Sequence, residues 1–220
     1  MDIIKDYIVT LEVLDWDAQE YDRWYDDHRA VYLSELEAVR TVLPAFKFAV
    51  EIGIGTGRYS SELGIQLGIE PSANMSKIAA SRGITVVAGK AEELPFSSSS
   101  FEVVLFVTSL CFVDDMDRAL VESYRVLKPL SSIVIGFLDF GTILGKELRD
   151  TEMNRRFPKR KSFLTSFDLQ NKVTNSGFTD IELVQTLFQP LDHITDVEPV
   201  QSGYGQGFFV ALRALKKVAA

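Results

Sequence analysis

The stretch AVEIGIGTGRYS sets Gly53, Gly55 and Gly57 at alternate positions directly behind an apolar run that carries Glu51. Glycine lets backbone approach a ligand closely, and a helix opening after Gly57 would add amide donors at its start. Three ligand classes use such a turn. A triphosphate-binding loop needs G-x-x-x-x-G-K-[ST], and no lysine follows Gly57. The dinucleotide fingerprint G-x-G-x-x-G, counted from Gly53, puts its third glycine where this chain has Arg58. That spacing is wrong for tight pyrophosphate packing, and the neighbouring residues decide the ligand. The next apolar run ends in Glu70, where a carboxylate at the C-terminal end of a strand can accept hydrogen bonds from two ribose hydroxyls. Glu51, inside an apolar strand, is costly to bury without partners. It can accept N–H groups from the loop that follows, and it can also stand near a bound ammonium.

The elements that position these residues follow from the period of the apolar residues. Short β-branched runs alternate with longer segments of helical spacing, the pattern of a parallel sheet covered by helices, so the fold class is α/β. Five strands are predicted at FAVEIG, IQLGIE, TVVAG, FEVVLFVT and SSIVIGFLD. Between them lie a short helix after Gly57, a second in SANMSKIAASRG with a serine N-cap, and a third in MDRALVESYRVL, stopped by KP. Asp114 and Asp115 are placed to cap that third helix. Beyond the fifth strand, TILGKELRDTEMNRR and FDLQNKVTNSGF read as helices, and DIELVQTLFQ with GQGFFVALRAL as an antiparallel pair at one sheet edge.

The block GKAEELPFSSSSFEVVLFVTSLCFVDD and the helix exit ALVESYRVLKP complete a set of four ordered motifs with the glycine turn and Glu70-PSANM. Together they resemble the class I S-adenosylmethionine-dependent methyltransferases, in particular the small-molecule branch known as type 11. The family's first motif, E-x-G-x-G-x-G, is matched by Glu51, Gly53, Gly55 and Gly57. The resemblance implies a Rossmann-like, seven-stranded, mostly parallel sheet with one antiparallel edge strand, helices on both faces and an N-terminal helical cap. It implies a single methyltransferase domain over 1–220, with a cap over 1–44, a cofactor-binding half over 45–140, and substrate-side helices with a terminal β-hairpin over 141–220. Two departures stand out: Leu130, Ser131 and Ser132 follow Pro129 where the family has two glycines, and Glu102 replaces its aspartate.

The resemblance also implies site roles. Glu70 takes the ribose of S-adenosylmethionine, with Pro71 beside it. Met75 and Leu94 flank the adenine, and Ala91 with Glu92 reads its edge. Gly53, Gly55 and Thr108 line the methionine portion, Gly57 completes the cofactor-binding turn, and Tyr21 of the N-terminal cap reaches the cofactor as a lid. Methyl transfer from a sulfonium is an in-line displacement, so alignment and desolvation carry much of the rate and a base is needed only if the acceptor must lose a proton. No catalytic group is assigned; His28 and Asp139 are the candidates. Asp139 and Phe140 close the fifth strand at the edge where open α/β folds place substrates.

Bulk properties narrow the acceptor. With 46% apolar residues in 220, one domain with a sizeable core is expected. The net charge of −8 repels polyanions, and the one basic run, RRFPKRK, reads as a solvated loop, so nucleic acid is not expected as substrate. No apolar run is long enough to span a bilayer and the acidic start MDIIKDY lacks a signal peptide's basic region, which points to a cytoplasmic protein without membrane contact. One cysteine and two histidines hold neither a disulfide framework nor a metal cluster. No N-P-P-[YF] motif follows the fourth strand, which disfavours adenine and glutamine methylation. Cys111 lacks the context of a pyrimidine C5 nucleophile and reads as a packed or pocket-wall thiol. A small-molecule acceptor is the main expectation. An NAD(P)-linked oxidoreductase is disfavoured by the glycine spacing and by AEELPF, and a non-catalytic binding module is kept open by the missing glycines after Pro129.

Overall fold

The computed structural model describes residues 18–149 and 162–217. Helix α1 (Ala18–Asp27) breaks at His28 and continues as α2 (Arg29–Val42). Then follow β1 (Ala49–Ile52), α3 (Arg58–Leu63), β2 (Leu67–Ile69), α4 (Ala73–Ser81), β3 (Thr85–Val87) and β4 (Phe101–Val107). The second half holds α5 (Met116–Val126), β5 (Leu127–Leu138), α6 (Ile143–Leu148), α7 (Ser166–Asn175), β6 (Phe178–Thr186), β7 (Gln201–Ser202) and β8 (Phe209–Lys216). The strands form one sheet in the order β3-β2-β1-β4-β5-β8-β6-β7. Strands β1 to β5 are mutually parallel. Strand β8 runs antiparallel to both its neighbours, β5 and β6, and β7 runs antiparallel to β6 at the edge.

The sheet has eight strands where seven were expected. The additional one is β7, two residues inside the connection from Pro190 to Tyr204, too short to leave an alternating pattern. The expected β6–β8 pair forms, with β8 between β6 and β5. Each of the five predicted parallel strands is present, but β5 begins earlier than SSIVIGFLD: α5 passes directly into it at Leu127, and Lys128–Pro129 lie within the strand. Leu130 there adopts φ +60°, a backbone state that glycine takes without strain. Of the segment 142–156 read as helical, α6 covers Ile143–Leu148; residues 150–161, with all of RRFPKRK included, lie outside the described residues.

Alternation along β4 sends side chains to two separate cores. Val103, Leu105 and Val107 face a cluster with Val31, Leu36, Val39 and Val42 of α2, while Val104 and Phe106 face Ala119, Leu120, Leu169 and Val173 of α5 and α7. The turns are closed by side chains: Ser72 accepts from Met75 N, Asp115 from Arg118 N and Thr165 from Asp168 N at the starts of α4, α5 and α7. Glu102, in place of the family's aspartate, accepts Lys47 N at 2.6 Å and Lys128 Nζ at 3.0 Å, joining the entry of β1 to β5.

Close packing between β1's turn and β2 sets a steric limit at Gly68. A Cβ there would lie 2.4 Å from Ile54 Cδ1 and 2.8 Å from its Cβ. Gly68→Ala is therefore expected to lower stability by about 1–3 kcal/mol in urea unfolding. An unchanged midpoint would show that Ile54 moves aside at no cost.

Candidate cofactor and active site

The three glycines of the turn are required for three different reasons. All have left-handed φ, at +69°, +57° and +81° for Gly53, Gly55 and Gly57. A Cβ on Gly53 would lie 2.5 Å from Ser109 Cβ, and one on Gly57 would lie 2.6 Å from Ile84 Cδ1 and 3.1 Å from Ala79 Cβ. Gly55 instead faces Tyr21, whose hydroxyl would stand 3.6 Å from such a Cβ. The turn is fastened on two sides: Gly53 N and Ile54 N donate to Ile69 O of β2, and Ser109 Oγ donates to Ile52 O of β1.

Glu70 closes β2 beside this turn. Gly55 N donates to its Oε2 and Ser72 N to its Oε1, both at 2.9 Å. The two backbone donors fix the plane of the carboxylate and leave each oxygen acceptor capacity for a further hydroxyl. Burial pushes its pKa up, against the lowering effect of those two donors. Glu51 is also buried, and Ser60 Oγ donates to its Oε2 at 2.5 Å. Burial dominates there too, lifting the pKa to about 8 despite the hydroxyl and backbone donors of Ser60. The donors that meet Glu51 thus come from α3, one step beyond the loop that sequence suggested. Burial likewise raises the Tyr21 phenol, which hydrogen bonds to Tyr25 and feels the charges of Glu70, Glu51 and Glu35.

The other expected residues divide. Met75 is buried and packs with Ala18 of α1, while Ala91 and Leu94 are buried in a cluster with Ile69, Leu110 and Cys111. Pro71 is exposed. One Glu92 oxygen accepts Asp114 N at 2.6 Å and Asp115 N at 3.1 Å, so it fastens the 90–93 loop to the start of α5. Thr108, at the end of β4, has φ +52°, a strained state for a β-branched residue, costing on the order of 1–3 kcal/mol. Its carbonyl accepts the Cys111 thiol at 3.3 Å. Thr108, Leu110, Cys111, Phe137, Leu138 and Leu164 line a small hollow at the C-terminal ends of β4 and β5.

The family model described as "Methyltransferase domain" matches residues 50–135. A Thermotoga maritima crystal structure described as a "SAM-dependent methyltransferase, possible histamine N-methyltransferase" is 40% identical, with a TM-score of 0.86 over 97% of this chain and 98% of that one. This chain belongs to the S-adenosylmethionine-dependent methyltransferases. An uncharacterised protein of Methanocaldococcus jannaschii is 37% identical over 94% of this chain and all of its own length. A ubiquinone/menaquinone biosynthesis C-methyltransferase of Rickettsia prowazekii is 38% identical over 69 residues, 31% of this chain and 27% of that protein.

The donor set around the turn suits S-adenosylmethionine, which is cationic at sulfur and carries no phosphate. Arg58, the one guanidinium adjoining the glycines in sequence, is engaged by Asp22 and Asp26, while Glu70 and Tyr21 stand at Gly55. Neither candidate base of this methyltransferase stands ready for proton transfer. His28 Nδ1 donates to Trp24 O at 2.9 Å while its ring stacks on Trp24. Asp139 is buried and accepts Gly141 N, Ser166 N and Ser166 Oγ, which makes it the clamp joining the starts of α6 and α7. His193 is exposed in a single 3-10 turn. Three participants escaped sequence reading: Ser109 behind Gly53, Arg82, which donates to Thr56 O of the turn, and buried Glu35, which accepts the Tyr59 hydroxyl. A serine, an arginine and a helix glutamate carry no spacing signal.

Glu51 makes the stability of the methyltransferase depend on pH. The native state keeps the Glu51 proton up to about pH 8, whereas the unfolded chain loses it in the ordinary carboxylate range. The unfolded state therefore binds fewer protons across that window, and stability falls as pH rises through it. Glu51→Gln removes this slope. Between about pH 5 and pH 8 the wild type should lose roughly 2–4 kcal/mol relative to Glu51→Gln in urea unfolding. Parallel pH profiles for the two proteins would show that Glu51 is ionised in the native state.

Proposed function

We propose that the methyltransferase transfers the methyl group to a small-molecule acceptor seated at the C-terminal ends of β4 and β5, next to a cofactor held along the glycine turn. The observation that carries the cofactor assignment is Glu70: both its oxygens are oriented by backbone N–H groups beside Gly55, as a ribose diol requires. In this reading Met75, Ala91 and Leu94 enclose the adenine, Gly53, Gly55 and Thr108 border the methionine portion, and Tyr21 covers it. S-Adenosylmethionine supplies an electrophilic methyl on a positively charged sulfur. The chain's own contribution is to align the acceptor with that methyl and to exclude water, and the buried apolar Leu110, Phe137 and Leu138 at these strand ends support this.

An amine is the acceptor class to try first, because the Thermotoga relative described as a possible histamine N-methyltransferase matches nearly the whole chain. Apolar walls favour the neutral over the protonated amine, and a neutral amine attacks through its lone pair without a base. The quinone-pathway relative covers less than a third of this chain and carries less weight for the acceptor. The net charge of −8 supports a small molecule over nucleic acid. Among the described residues no helix is long and apolar enough to cross a membrane.

Glu70→Ala should weaken S-adenosylhomocysteine binding by about 100-fold in calorimetry, the loss of two hydrogen bonds to a charged group, with the circular dichroism spectrum unchanged. Unchanged affinity would refute the ribose assignment, and stabilisation of the wild type by NAD alone would refute the cofactor site. Labelled methyl transfer from S-adenosylmethionine into a panel of small amines should label at least one of them, whereas label appearing only in acceptors without an amine would refute that acceptor class.

A further inference from the structure

A ligand cannot reach Glu70 unless something moves. Glu70 is 4% exposed and Met75 5% exposed. The first part of α1 lies against this region: Ala18 packs on Met75, and Tyr21 stands over Gly55, whose N–H donates to Glu70. The second part of α1 is held in another way. Trp24 and Tyr25 are buried in the core, and the Tyr25 ring meets Tyr32 and Tyr59 edge to face. One half of the helix is thus an anchor and the other a cover.

Asp22 lies between the two halves and is shared by two arginines that rise from the walls of the glycine turn. Its Oδ1 accepts Arg58 Nε at 2.9 Å, and its Oδ2 accepts Arg58 Nη2 at 2.9 Å and Arg82 Nη2 at 2.7 Å. Arg58 Nη2 also donates to the Asp22 carbonyl at 2.7 Å. Arg58 directly follows Gly57, and Arg82 Nη1 donates to Thr56 O at 2.7 Å. The three side chains are 16%, 14% and 23% exposed for Asp22, Arg58 and Arg82. Burial alone would raise the Asp22 carboxyl, but the hydrogen bonds from Arg58 and Arg82 outweigh it and hold the group below the ordinary carboxylate range. Asp26, with its side chain 58% exposed, takes the remaining edge of Arg58.

We propose that Asp22 is the latch of a cofactor gate: the segment Ala18–Asp22 peels from Met75 and Gly55 to admit and release the cofactor, and the ion pairs of Asp22 with Arg58 and Arg82 hold it shut between these events. This rests on the reading that the cofactor occupies the glycine turn. A bidentate pair largely shielded from solvent holds more firmly than an exposed one. Its members lie near enough to the surface that opening returns them to water and does not strand a charge in the core. A latch of this kind responds to ionic strength, whereas an apolar seal does not weaken with salt.

The test is stopped-flow release of S-adenosylhomocysteine from wild type, Asp22→Asn and Asp26→Asn, at ionic strengths of about 0.05 M and about 0.5 M. Release should be about tenfold faster in Asp22→Asn and about two- to threefold faster in Asp26→Asn. The wild-type rate should rise with salt and the Asp22→Asn rate should not. Asp26 is exposed, so its variant reads the latch even if Asp22→Asn fails to fold. Rates and salt responses equal to wild type in the folded variants would overturn the latch and leave the cofactor site standing. Failure of the wild type to bind S-adenosylhomocysteine would instead overturn the site reading on which the latch rests.

Discussion

Two buried carboxylates, Glu51 within β1 and Glu70 just after the adjacent parallel β2, set the constraint that much of the local structure answers. An isolated buried carboxylate is costly unless it is hydrogen bonded or protonated. The chain uses both remedies. Glu70 is met by backbone donors from the turn and from the start of α4, whereas Glu51 receives Ser60 and holds its proton. Gly55 takes its left-handed backbone state where its N–H meets Glu70, and Gly53 N and Ile54 N fasten the same turn to Ile69 O.

The donor side of the fold was legible because its geometry is written in short range. The alternating glycines, the strand-end glutamate and the N-cap serine of α4 each act on residues within a few positions of themselves. What escaped reading acts at long range or through common residue types. Asp22 meets Arg58 across 36 positions and Arg82 across 60, and nothing in YDRW marks its aspartate as shared. The Glu92 carboxylate meets the backbone N–H groups of Asp114 and Asp115 across more than twenty positions, a contact that AEELPF does not announce. The two-residue β7 is too short to show a period. The apolar hollow is the product of three separate segments, so no single stretch announces it.

The departures from the family pattern have local physical answers. Leu130, where a glycine is usual, takes the left-handed backbone state anyway and leaves its side chain in solvent. Glu102, longer than aspartate by one methylene, reaches Lys47 N and Lys128 together and joins two parts of the sheet. The cofactor-side architecture therefore tolerates both changes. Thr108 is a different case, since its strained backbone lies beside the hollow, where a fixed carbonyl direction has more consequence than in an exposed turn.

The position of β8 bears on how the molecule is made. Residues 209–216 pair with β5 on one side and β6 on the other, so the inner edge of β5 has no hydrogen-bonding partner until those residues have been synthesised. During translation the cofactor half can assemble from β1 to β5 while that edge is still open, the condition in which β-strands recruit foreign chains. Arrival of β8 closes the edge and gives β6 its place in the sheet. The interval between emergence of β5 and of β8 is thus the period in which the nascent chain is most exposed to aggregation.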